Sequence, residues 1–314
     1  MAFVVSSLTD YVNEQSKDLL TALHFESATG DLADAHPGIK SAEALQLLST
    51  TPVPQSAAAC SFNASGDITF TQAVLTVSPV KWEDLLCLKT LEAKWTQLLL
   101  KAGVHYTEAD IPAKIMDEIM SVIQEQIEVM DWQGDTATGS AYLNRYDGLR
   151  KIIKAASGTN VATAVAGPVT VANVRTIVQN VLAAIPNKMK GNPKVKVLMG
   201  YDIAELYRSA MLAANLYHFP PGSKDQQNMF AEGSVHEIVP LHGLDGLGSS
   251  TGDNPFVFAL IPERTLHLGF DMLNEEEKAE MGMDQYKKNV WYSFEMKRGW
   301  QITYPAEIVE YSNT

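Results

Sequence analysis

The stretch IPAKIMDEIMSVIQEQIEVMDWQGD, residues 111–135, constrains the fold of this 314-residue chain more than any other. Ile111, Ile115, Ile119, Val122, Ile127 and Met130 recur at spacings of three to five. That spacing predicts one apolar stripe on a helix. Asp117, Glu118, Glu125 and Glu128 fill much of the remaining surface. Pro112 stands where a first helical turn tolerates proline, and Gly134 supplies a stop. A helix over 111–132 would be about 30 Å long, enough to cross a whole domain.

The segment after it, DWQGDTATGSAYLNRYDGLRKII, carries Gly134, Gly139 and Gly148. Two glycines five apart followed by Ser140 suggest a phosphate-cradling loop. That motif needs lysine directly after the second glycine, then Ser or Thr, on a turn from strand to helix. Here Ser140 and Ala141 fill those places, a helix precedes, and Asp131 and Asp135 add negative charge. The glycines therefore read as a backbone joint at the end of the helix.

Elsewhere the chain alternates without a regular βαβ rhythm, which predicts an α+β fold. Residues 1–50 read as an extended arm with short helical pieces. In residues 57–82, the alternation of Ile68, Phe70, Val74 and Thr76 with their neighbours and the turn NASGD (63–67) predict a β-hairpin. Two strands alone are marginal in water, so the hairpin needs a partner surface. PVKWEDLLCLKTLEAKWTQLLLKAG (79–103) reads as helix, as do the stretches 169–186 and 201–219. KVKVLMG (194–200), HEIVPLHGL (236–244) and FVFALIPERTLHLGFD (256–271) read as strands. The final stretch, 289–311, reads as a strand pair turning at MKRG (296–299).

A search for chemistry yields little. Ser250, between Gly248 and Gly252, lacks the strand before and helix after that a nucleophile elbow requires. The histidines, His24, His36, His105, His218, His236, His242 and His267, show no zinc-binding spacing; His236 and His242, six apart, suit a strand poorly as joint ligands. NEEEKAE (274–280) reads as a solvated acidic helix turn, and KMKGNPKVK (188–196) as a basic turn entering a strand. Cys60 and Cys87 read as reduced thiols. No catalytic, cofactor-binding or metal-binding residue is nominated, no cofactor is expected, and a scaffold role is favoured over an enzyme.

The net charge of −13 falls unevenly, −11 in residues 1–150 and −2 in 151–314. Such a surface repels phosphate, which argues against a dedicated nucleic-acid binder. No apolar run reaches the roughly 18 residues of a membrane span, and the first residues lack the basic start of a secretory signal.

The order of parts resembles the major capsid proteins of tailed bacteriophages, the Hong Kong 97-like fold that encapsulin compartments share. FTQAVLTVSPVKWEDLL (70–86) is similar to that family's exit from its E-loop. EVMDWQGDTATGSAYLNRYDGLRKII (128–153) is similar to its spine-helix ending, with Gly134, Asp135, Gly148 and Leu149 in the characteristic places. PKVKVLMGYDIAELYRSAM (193–211) is similar to its axial strand-to-helix step, and 289–311 to its terminal strands. The resemblance implies an N-terminal arm (1–50), an E-loop β-hairpin (51–80), a peripheral (P) domain (81–150 and 256–314) with spine helix 111–132, and an axial (A) domain (151–255). It implies a self-assembling shell subunit in hexameric and pentameric capsomers of an icosahedral virion enclosing double-stranded DNA held only non-specifically. Its partners would be further copies, with scaffold, portal and decoration proteins as candidates, no membrane, and assembly in the host bacterial cytoplasm. An encapsulin-like shell is the alternative, and a soluble enzyme with an unrecognised site is the third reading. The hairpin tip SFNASGD (61–67) has no lysine, so the Lys–Asn cross-link of some members is not carried over.

Overall fold

A computed structural model describes residues 27–55, 65–87, 110–137, 141–214, 229–246, 256–271, 278–284 and 289–312. The expectations for residues 1–26, 56–64, 88–109, Ser250 and the loop around it, Cys60, His24, His105 and His218 lie outside the described residues.

Helix α1 (Asp110–Gln133) is the long helix expected over 111–132. Its buried face is Met120, Ile123, Ile127 and Met130, spaced by three and four. Ile127 and Met130 were expected there, but Val122 is exposed and Ile119 only half-buried. The stripe thus lies about one residue round from the expected one over this turn. Helix α2 (Leu149–Ala155) follows the glycine joint and contributes Leu149 and Ile153 to the same core.

The first sheet is built around one long strand, β12 (Asn289–Ile302). Strand β4 (Ser78–Cys87) pairs antiparallel with it along ten positions, from Asn289 opposite Cys87 to Arg298 opposite Ser78. On the other edge lie β10 (Leu266–Phe270) and then β11 (Lys278–Asp284), both antiparallel to β12. Strand β1 (Asp34–Pro37) closes the sheet, parallel to β10. Three expectations are corrected here. Residues 78–87 form a strand rather than the start of a helix, because ladder pairing with β12 overrides the three-to-four spacing of Trp82, Leu85 and Leu86. The strand β12 runs straight through MKRG with no turn. The end of the acidic segment, from Lys278 onward, is strand rather than helix turn.

The second sheet has six strands in the order β5 (Asn160–Val161), β13 (Val309–Tyr311), β9 (Val257–Leu260), β6 (Lys196–Met199), β8 (Glu237–Pro240), β7 (Met229–Phe230). Helices α3 (Val174–Ala184) and α4 (Tyr201–Ala213) cover one face with Val174, Ile177, Val181, Ile203 and Tyr207. Val197, Met199, Val257 and Ala259 point to that side, while Leu198, Phe258 and Leu260 point to the core shared with α1. Burial on both faces explains why Val197–Met199 and FVFALI are continuously apolar instead of alternating. The segment FVFALIPERTLHLGFD is two strands, β9 and β10, separated by the single helical turn α5 (Pro262–Thr265). Residues 256–314 therefore divide between the sheets: β10 to β12 join the first, β9 and β13 the second.

A two-stranded sheet stands apart from both. Strand β2 (Ala42–Pro52) pairs antiparallel with β3 (Gly66–Thr76) through eleven consecutive positions, from Ala42 opposite Thr76 to Pro52 opposite Gly66. A hairpin is present and its second strand carries the expected alternation, but its first strand is Ala42–Pro52, inside the segment read as arm, and Gly66 and Asp67 of the expected turn belong to the second strand. Glu, Ala, Gln and Leu on both faces of SAEALQLLSTTP hide the period-two signal.

Candidate assembly interface

The hairpin is the least self-sufficient part of the described structure. At about 3.4 Å per residue, eleven pairs extend some 37 Å. Among its described residues, full burial is confined to the root, where Leu75 packs with Ile39, Val77 and the half-buried Leu45. A methyl group on Gly299 of β12 would run into the Thr76 backbone, and Gln301 Nε2 donates to the Val74 carbonyl at 2.6 Å. The absence of a side chain at position 299 thus lets the hairpin root lie directly on the first sheet.

Beyond the root, side-chain alternation sorts the hairpin into two faces. Leu48 is opposite Phe70, Thr50 opposite Ile68, and Ala44 opposite Val74. Leu48, Ile68, Phe70 and Val74 therefore share one face, and all are exposed, Phe70 at 74% and Ile68 at 65%. Cross-strand apolar pairs on a solvated face are a marker of a surface that another surface covers.

The glycine joint has a structural role. A Cβ on Gly134 would collide with the carbonyl oxygens of Tyr146 and Met130, and one on Gly148 with the backbone of Trp132 and Gly134. The close approach allows Gly148 N–H to donate to the Gly134 carbonyl (2.8 Å) and Asp135 N–H to the Leu143 carbonyl (2.8 Å). Residues 138–140 lie outside the described segments. Lys151, on α2 beside the joint, is held by Asp135 (2.6 Å) and Asp147 (2.7 Å), which raise its pKa above the ordinary lysine value.

Beneath the joint lies a buried polar cluster that sequence reasoning did not nominate. Asp131 and Arg298 are both fully buried. Arg298 Nε donates to Asp131 Oδ1 (2.9 Å) and Nη2 to Oδ2 (2.6 Å). Trp300 Nε1 (2.7 Å) and Tyr146 Oη (2.6 Å) also donate to Oδ1, and Arg298 Nη2 reaches Ser27 Oγ (3.1 Å). Burial acts to lower the Arg298 pKa, but the attraction of Asp131 raises it above the ordinary arginine value. Burial, then repulsion by Asp131, holds the Tyr146 phenol well above its usual range. One turn earlier on α1, Glu128 accepts from Thr29 N–H (3.2 Å) and its hydroxyl, while Trp132 Nε1 donates to that hydroxyl (2.7 Å). Burial, followed by the Asp131 charge, raises the Glu128 pKa. This cluster joins the 27–29 segment, the end of α1, Tyr146 and β12. A signal for it existed: Phe294, Met296, Arg298, Trp300 and Ile302 share one face of a strand, and a lone arginine among apolar residues needs a buried acid.

The other cation of MKRG goes to the opposite face, where Lys297 Nζ contacts the buried Asp271 at 3.1 Å. In the KMKGNPKVK segment, Lys194 and Lys196 stand 3.6 Å from Glu263 and Glu237, as a solvated turn entering β6. His236 is buried, whereas His242 is exposed and contacts Asp245 at 2.8 Å. An open groove of about 570 Å³ runs between the hairpin root and α2, past Val74, Thr76, Ile152 and Gly299; Asp147 and Lys151 on its wall are tied to each other.

No family model and no curated protein sequence matches this chain. Solved structures do. A chain of the satellite phage P4 procapsid, solved with the size determination (Sid) protein, aligns with a TM-score of 0.63 at 9% identity, covering 95% of this chain and 90% of that one. The capsid of the native GTA particle aligns at 0.60 and 10% identity, covering 93% and 90%. Gordonia phage Cozz aligns at 0.57 and 14% identity, covering 91% and 85%. The chain has the tailed-phage major capsid protein fold. Within this fold, α1 is the long helix at the centre of the first core, and among the described residues the outer face of the hairpin is left exposed. Identities of 9–14% explain why the fold is visible where sequence comparison finds nothing.

Proposed function

We propose that this chain is a major capsid protein, the self-assembling structural subunit of an icosahedral phage head enclosing double-stranded DNA. Capsid structures aligning over more than nine-tenths of the chain support the reading. The single observation that carries it within the molecule is the exposed apolar face of Leu48, Ile68, Phe70 and Val74 on a hairpin too thin to be stable alone. A neighbouring subunit would bury that face, and repetition around a closed symmetric shell would use the same contact many times.

In this reading the E-loop is 42–76, not 51–80. The first sheet with α1 and α2 forms the peripheral domain, and the second sheet with α3 and α4 forms the axial domain, to which β9 and β13 return. The role is structural rather than enzymatic, and its location is the virion. An encapsulin-like compartment is not favoured, because the similar structures named above are phage and GTA capsids. Scaffold, portal and decoration proteins are candidate partners, and DNA would meet a wall of net negative charge.

The test compares the wild-type chain with the Ile68→Asp/Phe70→Asp variant by size-exclusion chromatography and negative-stain electron microscopy. Wild type should form capsomers or shells. The variant should remain a folded but unassembled subunit, because both side chains are solvent-exposed in the monomer. A wild-type chain that stays monomeric over a wide range of concentration and salt would contradict the proposal.

A further inference from the structure

Strand β1 lies parallel to β10 with Asp34 opposite His267 and His36 opposite Gly269. Residues 34 and 36 share a face by strand alternation, so the register brings one carboxylate and two imidazoles together from positions 231 apart. His36 Nε2 is 2.9 Å from His267 Nδ1, Asp34 Oδ2 is 3.3 Å from His36 Nε2, and the same oxygen is 3.5 Å from His267 Nδ1. All three donor atoms lie within 4.8 Å of one another.

The geometry points to a binding site for a divalent transition-metal ion, best suited to zinc, formed by Asp34, His36 and His267. Around a tetrahedral zinc with bonds of about 2.0–2.1 Å, neighbouring donors stand about 3.3–3.4 Å apart. The observed triangle has nearly those edges, so an ion within bonding distance of all three would sit roughly 1 Å or less out of their plane. Two imidazoles and one carboxylate select zinc, cobalt or nickel over magnesium or calcium, which prefer all-oxygen sites.

A second, independent feature fixes the protonation the site needs. Thr303 Oγ1 donates its hydrogen to the Arg264 carbonyl at 2.6 Å. It can therefore only accept from His267 Nε2, 3.0 Å away. That hydrogen bond keeps the proton on Nε2 and leaves the Nδ1 lone pair aimed at His36 and Asp34. A ligating histidine commonly has its far nitrogen anchored this way. Asp34 is exposed, so water can fill the fourth position and the ion has an entry path. A bound ion would tie β1, and the 27–39 segment with it, to β10 in the first sheet.

The test uses the full-length, tag-free chain after chelator treatment. Calorimetry with zinc chloride should give one ion per chain, and cobalt(II) should develop the visible absorption of a four-coordinate site. His36→Ala and His267→Ala should abolish both signals. Asp34→Asn, which alters only an exposed side chain, should weaken zinc binding at least tenfold. Thr303→Val should weaken it by about 10- to 100-fold by freeing the His267 ring. His242→Ala, at the exposed contact with Asp245, should bind as wild type does. If His267→Ala fails to fold, Asp34→Asn and Thr303→Val decide the matter. Absence of saturable zinc uptake, or uptake unchanged in His36→Ala and Asp34→Asn, would overturn the proposal.

Discussion

The Asp131–Arg298 pair offers a perturbation whose size follows from the structure. Asp131 accepts four hydrogen bonds at 2.6–2.9 Å, two from Arg298, one from Trp300 and one from Tyr146, with no exposure to water. Removing one member of a buried ion pair leaves the other charge uncompensated, at about 3–5 kcal/mol. Asp131→Leu and Arg298→Met should each cost that much, a large share of the roughly 5–15 kcal/mol that holds a domain folded. The double variant removes both charges. It leaves the Tyr146 hydroxyl and the Trp300 N–H without their acceptor, at about 1–3 kcal/mol each. It should therefore be far more stable than the sum of the singles implies, by several kcal/mol of coupling. Urea unfolding of the unassembled subunit, followed by tryptophan fluorescence, would report it, since Trp132 and Trp300 flank the cluster. If Asp131→Leu is too unstable to purify, Arg298→Lys keeps the charge but loses the two-pronged contact, and should fall between wild type and Arg298→Met. An additive double variant, or single variants within about 1 kcal/mol of wild type, would show that the two charges are not coupled in the fold.

Other outcomes follow from the same region and from the hairpin root. The raised pKa of Glu128 means that the folded chain holds that proton more tightly than the unfolded chain. Its contribution to stability falls as pH rises from the ordinary value of 4.5 through the raised one, and the penalty is complete above it. Glu128→Gln should remove this slope, so its melting-temperature advantage should grow from about pH 4.5 to neutrality. Gly134→Ala forces a methyl group against two carbonyl oxygens and should destabilise the subunit by about 1–3 kcal/mol in the same urea assay. Gly299→Ala should displace the hairpin root from β12 and speed amide exchange at the Leu75 and Val77 positions while leaving the second sheet unchanged.

The parts legible in the sequence were those whose pattern arises locally. The spine helix announced itself through Ile127, Met130 and the Gly134 stop, and β6 and β9 through runs too apolar to face water. What was misread depended on distant partners. Residues 79–87 carry apolar residues at helical spacing, yet ten ladder positions against β12 decide their conformation. The MKRG segment looks like a basic turn because its charges suggest solvent. In the fold, Arg298 reaches Asp131 on one face and Lys297 reaches Asp271 on the other. The hairpin's first strand was hidden because Leu45 and Leu47 face one side while Leu48 faces the other, erasing the alternation. The histidine and aspartate of 34–36 meet His267 only through the β1–β10 register, which no spacing rule along the chain contains.

Cryo-electron microscopy of particles formed by the wild-type chain should show a closed shell of hexamers and pentamers in which Leu48, Ile68 and Phe70 of each hairpin are buried against an adjacent subunit. Particles whose hairpins remain uncovered on that face, or a chain that yields only monomers, would contradict the proposed capsid role.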